Sequence, residues 1–145
     1  MPAVESYCPS GFDFYLSPDG TTWTNHRATV RHVNPAERAR EVLTYMTSDG
    51  AVVCAGPAPE TDVEIDNLYQ EVDTGAYAVL RDAHYSGDII HARWSPSGAT
   101  KEWITHDARV TTFDEPDLDN DGDSALFFLA TLSAGTVDWA DITAP

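Results

Sequence analysis

One stretch of the sequence has residue types and spacing suited to holding an ion. Asp117-Leu118-Asp119-Asn120-Asp121-Gly122-Asp123 puts carboxylates at loop positions one, three and five and glycine at six. The first half of an EF-hand calcium loop has this form: alternate oxygens converge on a hard cation and the glycine makes the sharp turn. The second half departs from the pattern. Position nine is Ala125, and position twelve, where a bidentate Glu would close the shell, is Phe128. Asp117, Asp119, Asp121 and Asp123 therefore form only a weak cation candidate. The competing reading is a solvated acidic loop, since Asp114 to Asp123 carries six carboxylates and like charges that dense stay in water.

Other chemistry finds less support. No Gly-x-Ser-x-Gly elbow is present, and neither cysteine has a histidine nearby in sequence. His26, His32, His84, His91 and His106 lack metal-ligand spacing and read as surface or half-buried strand residues. Glycine-rich phosphate loops are absent. Carboxylate pairs are abundant in so acidic a chain and carry no information about acid-base work. Trp23, Trp94, Trp103 and Trp139 suit a sugar platform or ordinary packing equally well. No catalytic residue and no cofactor is expected, and an enzyme is the least favoured class.

The totals narrow the classes further. The chain has 145 residues, 8 Lys and Arg against 24 Asp and Glu, and a net charge of -16. That length favours one domain with a sizeable core. No basic stripe exists to replace the counterions of nucleic acid, so phosphate binding is excluded. An acidic surface past which nucleic acid slides without sticking remains compatible. A single lysine, Lys101, against seven arginines and sixteen aspartates fits a GC-rich or salt-loving source. Cys8 and Cys54 make no disulfide framework and read first as small buried thiols, with a bridge between them as the alternative. No signal peptide is visible at Met1 to Ser6, and no apolar run approaches the roughly 20 residues of a membrane span, so a soluble protein, intracellular at synthesis, is expected.

The elements that must position these residues are mostly strands. Residues 1–10 read as an arm, 11–142 as a single domain and 143–145 as a tail. Phe12, Phe14 and Leu16 alternate with Asp13 and Tyr15, and Ser17-Pro18-Asp19-Gly20 turns the chain. His26 to Asn34 alternates as a second strand. Asn34-Pro35-Ala36-Glu37 has the form of a helix start, but a turn leading to a hairpin around Thr47-Ser48-Asp49-Gly50 is favoured. Thr61 to Val72 predicts a long strand, with Val63, Ile65 and Tyr69 on one face and Asp62, Glu64 and Asp66 on the other. Ala76, Val79, Leu80 and Ala83 mark one stripe of a helix that Asp73 or Thr74 caps and Gly87 ends. Strands follow at 88–94, 101–106, 108–113 and 136–142. The Phe- and Leu-rich run 125–132 is expected to be a strand covered on both faces. The fold class is thus mainly β: two packed antiparallel sheets, sandwich or barrel, with one flanking helix.

With no visible reaction, arms at both ends and many alternating strands, the chain has the profile of a protein that works by assembling. Residues 60–142 resemble a phage major tail tube protein of the long-tailed, non-contractile kind. The likeness lies in the order of segments. Strand Val63 to Tyr69 precedes the helix Ala76-Tyr77-Ala78-Val79-Leu80-Arg81-Asp82-Ala83-His84. The run Gly87 to Gly98 follows, with its Arg93-Trp94-Ser95-Pro96 turn. Then come Val110-Thr111-Thr112-Phe113, an acidic loop with proline, and the strand Ala125 to Leu132. The charge and the density of the acidic loop depart from that pattern.

The resemblance implies stacked rings, usually of six copies, each giving strands to a continuous inner barrel, with loops and arms locking ring to ring. It implies a place in the virion tail after synthesis in the host cytoplasm. The implied partners are other copies, a tape-measure protein in the lumen, the tail terminator and distal tail proteins, with viral DNA passing unbound and no membrane. Asp62, Glu64 and Asp66 become candidates for lining the bore, because carboxylates repel phosphate within about 8 Å at physiological salt. The rivals are a monomeric calcium- or carbohydrate-binding module and another tail ring protein such as a terminator.

Overall fold

The computed structural model describes residues 11–40, 42–55, 59–118 and 125–142. The expected arm at 1–10, the tail at 143–145 and most of the acidic loop lie outside these. The elements are β1 (Phe12–Ser17), β2 (Thr24–Asn25), β3 (Val30–Glu37), β4 (Val42–Thr47), β5 (Gly50–Ala55), β6 (Thr61–Leu68), α1 (Ala76–Ser86), β7 (His91–Pro96), β8 (Lys101–His106), β9 (Arg109–Asp114), β10 (Phe127–Ala134) and β11 (Thr136–Asp141). They form a five-stranded sheet in the order β11-β8-β7-β1-β2, a four-stranded sheet in the order β3-β6-β10-β9, and a separate hairpin of β4 and β5. All the pairings are antiparallel. The mainly β sandwich with one flanking helix is therefore what the chain forms.

Period-two alternation explains the core. Phe14, Leu16, Ala92 and Trp94 from one sheet meet Val63, Ile65, Phe128, Ala130 and Leu132 from the other, all nearly inaccessible. The helix seals one flank. Ala76, Leu80 and Ala83 are its buried stripe, and Tyr77 meets the rings of Phe113 and Phe128 edge-on at 5.6 and 5.3 Å. Gly87 ends it at φ 75, a left-handed conformation that glycine adopts without steric cost. The start differs from expectation: Gly75 is the N-cap, and no side chain caps the helix.

Three strand readings are corrected. Asn34 to Glu37 is neither a helix start nor a turn but the second half of β3, with Pro35 opposite Val63. β3 is an edge strand, where a residue lacking N–H costs no ladder bond. The alternating run His26 to Asn34 starts instead with a turn, and β3 begins at Val30. β10 is covered on one face only: Phe128, Ala130, Leu132 and Ala134 are buried, whereas Leu129 on the opposite face is 48% exposed. Cys54, expected inside, is exposed on β5. The bridge considered with Cys8 involves a residue outside those described.

Candidate assembly surfaces

The outward face of the four-stranded sheet carries the predicted acidic row. Cross-strand register sets His32 opposite Asp66, Asn34 opposite Glu64 and Ala36 opposite Asp62 on one side. On the other side stand Leu129, Thr131 and Ser133. The face is thus polar with a carboxylate stripe along β6, as alternation required.

The three carboxylates are not equivalent. A bulge in β3 between Val30 and His32 frees Arg31 to reach across the face. Its Nε donates to Asp66 Oδ2 at 2.8 Å, its Nη2 closes on the same oxygen, and the guanidinium lies 4.1 Å over the Phe127 ring. Asp66 is buried, a place that alternation alone does not give a carboxylate. Asp62 receives Arg38 Nη2 at 3.1 Å, and the same arginine reaches Glu60. The two carboxylates raise the Arg38 pKa, the hydrogen bond it donates to Asp62 first. Glu64 is exposed and pairs with no cation among the described residues.

Among the described residues both edges of this sheet are open: β3 bonds there only to β6, and β9 only to β10. The strands alternate in direction, so the free edges run opposite ways. The start of β3 and the end of β9 share one end of the sheet. Arg31 stands there on one edge and Asp114 on the other, with Glu115 just beyond β9. Glu115 accepts the Tyr77 hydroxyl at 2.6 Å and Arg81 Nε at 3.2 Å; the Tyr77 bond holds that phenol above its ordinary pKa.

The β4–β5 hairpin is a second surface. It makes its own two-stranded sheet, and every residue of both strands is exposed. Val42, Met46 and Val53 share one face; Leu43, Tyr45 and Val52 share the other. A lone hairpin is marginal in water, and one apolar on both faces needs cover.

A third surface lies on the β3 flank, where Trp139 at the edge of the five-stranded sheet is left exposed among the described residues. Register aligns Phe14, Trp94, Trp103 and Trp139 in one row across β1, β7, β8 and β11. The row begins in the core at Phe14 and ends at Trp139, 62% exposed. A groove of about 210 Å³ runs beneath it between Pro96, Ala99, Lys101, Trp103 and Trp139. Sequence reasoning had the four tryptophans but not the row, which appears only once three strand registers are fixed.

Of the weak cation candidate, Asp117 is described and exposed, while Asp119, Asp121 and Asp123 lie outside the described residues. Among the described residues no group of three or more His, Cys, Asp or Glu is placed to hold a metal.

Comparison with known proteins gives a consistent picture. No family model matches the sequence, and no curated protein matches it. Solved structures do. The SPP1 tail tube, from solid-state NMR and cryo-EM, aligns with TM-score 0.72 at 15% identity, covering 96% of this chain and 81% of that one. The tube-terminating cap of the anti-feeding prophage aligns with TM-score 0.71 at 13% identity, over 98% and 96%. The sheath–tube complex of an extracellular contractile injection system, PVC, aligns with TM-score 0.66 at 13% identity, over 90% and 88%. Across nearly its whole length, then, this chain has the fold of tube and tube-cap proteins of phage-like tails.

Proposed function

We propose that this chain is the major tail tube subunit of a long, non-contractile phage tail. Copies join β3 edge to β9 edge into closed rings of six, and the rings stack into the hollow tube through which viral DNA is delivered. The observation that carries this is the four-stranded sheet, with its two free edges, alternating strand directions and polar outward face. Adding the next copy's β9 to β3 along Val30 to Asn34, ahead of Pro35 whose ring offers that edge no N–H, continues the sheet antiparallel and covers both exposed edges. A heterologous contact of this kind closes into a ring. The likeness to tube structures supports the reading, as does the resemblance over residues 60–142. The role is structural, not enzymatic.

The outward face lines the bore in this arrangement. Glu64 supplies its free carboxylate, while Asp62 and Asp66 hold arginines in place. DNA phosphates meet a surface that repels them at close range. The hairpin, apolar on both faces, lies against the adjoining ring, and the tape-measure protein, terminator and distal tail proteins complete the tail. The lumen role of Glu64 is tested by sedimenting tubes with DNA: wild-type tubes leave it in solution, and Glu64→Lys tubes carry it down.

A second reading has one observation in its favour. The tube-terminating cap aligns as well as the tubes do, over nearly the whole of both chains. A terminator makes one ring and stops. Negative-stain microscopy of the purified chain at high concentration separates the readings. Long tubes support the major subunit, single rings the terminator, and lone particles at every concentration overturn both.

A further inference from the structure

We propose that the overhanging part of the five-stranded sheet receives helix α1 of a second copy. The inference rests on the ring reading above and adds a second contact to it.

The two flanks of the sandwich are unlike. On the β9 flank, α1 closes the core, and Arg109 Nε donates to the Gly87 carbonyl at 3.0 Å, tying the helix end to β9. On the β3 flank no described element covers the row that ends in Trp103 and Trp139. There a cavity of about 160 Å³ between Phe12, Val33, Trp94 and Trp103 adjoins the open groove beneath Trp139. An apolar row that leaves the core and ends in water is incomplete by itself.

The strand arithmetic says what completes it. α1 packs on the core-side face of β9. When β9 of the next copy extends the sheet beyond β3, its α1 arrives on the core-side face just past β3, beneath the overhang. The stripe of α1 turned away from its own core is Ala78, Arg81, Asp82 and Tyr85. Arg81 lies 4.7 Å over the Tyr85 ring, and Tyr85 is 68% exposed. Tyr, Trp and Arg are the residues that most often anchor interfaces.

Charge agrees with the same placement. The join sets Arg31, at the start of β3, beside Asp114 and Glu115, at the end of the incoming β9. It also brings the Arg81 side of the helix, where Arg81 already pairs with Glu115, toward Lys101 and Asp141, which pair with each other at 3.3 Å. Arg31 beside two carboxylates is the complementary charge contact of this placement.

The test uses the full chain with p-benzoyl-phenylalanine in place of Tyr85. Nitrogen-15-labelled and unlabelled copies are mixed, assembled and irradiated, and the crosslinks are mapped by mass spectrometry. Label-crossing products between position 85 and residues 96–103 or 137–142 are expected. Rings whose crosslinks fall elsewhere, or that give none, overturn the docking and leave the ring reading standing. A chain that never assembles overturns both. In parallel, Trp139→Ala and Tyr85→Ala should each weaken assembly about tenfold or more with the unfolding midpoint of the single subunit unchanged. Assembly at wild-type strength in both variants overturns the docking.

Discussion

Arg93 and Glu102 face each other at 3.6 Å on the side of the five-stranded sheet that points away from the core, and both are almost wholly inaccessible. The guanidinium is held between two rings, 4.4 Å from the centre of Tyr15 and 4.6 Å from that of Trp23. Removing one member of a buried pair costs about 3 to 5 kcal/mol, and the low end applies here because Arg93 keeps its ring contacts. Glu102→Ala should therefore lower the unfolding free energy by about that amount, and Glu102→Gln by less, because the amide still accepts a hydrogen bond. Urea denaturation of the three proteins measures it. A change in Glu102→Ala below about 1 kcal/mol contradicts the role given to the pair.

His26 gives the fold a pH response. It is buried beside Phe14, its Nε2 has no hydrogen-bond partner among the described residues, and burial holds its pKa below the ordinary 6.5. A histidine buried neutral binds its proton more readily when unfolded. Its contribution is complete above pH 6.5 and is lost as pH falls through the lower folded value. His26→Leu should flatten the stability profile on the acid side of pH 6.5 and leave the slope above it alone. Denaturation midpoints between pH 5 and 8 test this.

Asp19 gives a second window. Its Oδ1 accepts the amides of Thr22 and Thr21 at 2.8 Å each and the Ser17 hydroxyl at 2.9 Å. These bonds, the Thr22 amide first, hold the carboxyl far below its ordinary 3.8. A depressed carboxyl stabilises the fold above its unfolded pKa and loses that contribution as pH falls through the folded value. The stability gap between wild type and Asp19→Ala should be constant above about pH 5 and close progressively below pH 4. A gap that widens in acid would contradict the assignment.

In the proposed tube the hairpin separates folding from assembly. Met46 and Val53 are 79% and 64% exposed and touch no core. Met46→Ser with Val53→Ser should leave the thermal midpoint of the single subunit unchanged, as surface changes usually do. Ring formation should persist while stacking fails, so that microscopy shows single rings where the wild type gives tubes. Tubes of normal length in the double variant would remove the hairpin from the stacking contact.

Much of this fold could be read from residue patterns, and the exceptions share a cause. The stripe Ala76, Val79, Leu80, Ala83 announced the helix, and the alternation of Asp62, Glu64 and Asp66 against Val63 and Ile65 set the faces of β6 correctly. What failed depended on partners distant in sequence. Asp66 is buried because Arg31, 35 residues earlier, folds over it from a bulge that no local pattern marks. Pro35 suggested a break because its tolerance depends on β3 being an edge, a property of topology and not of the segment. β10 looked buried on both sides because Phe127 and Leu129 are apolar, yet Phe127 serves as the platform for Arg31. The assembly surfaces were the least legible part, since a free edge or an uncovered row of rings exists only after every pairing is settled.

The even strand count of the four-stranded sheet has a geometric corollary for the proposed ring. Each repeat enters with one polarity and leaves with the other, so a wall of any number of repeats has identical joints and no mismatched seam. Parity thus permits closure at any size, and the number of copies must be chosen elsewhere, by the curvature imposed where one subunit leans on the next. In the proposed ring, changes at the overhang would then alter the diameter before they prevented closure.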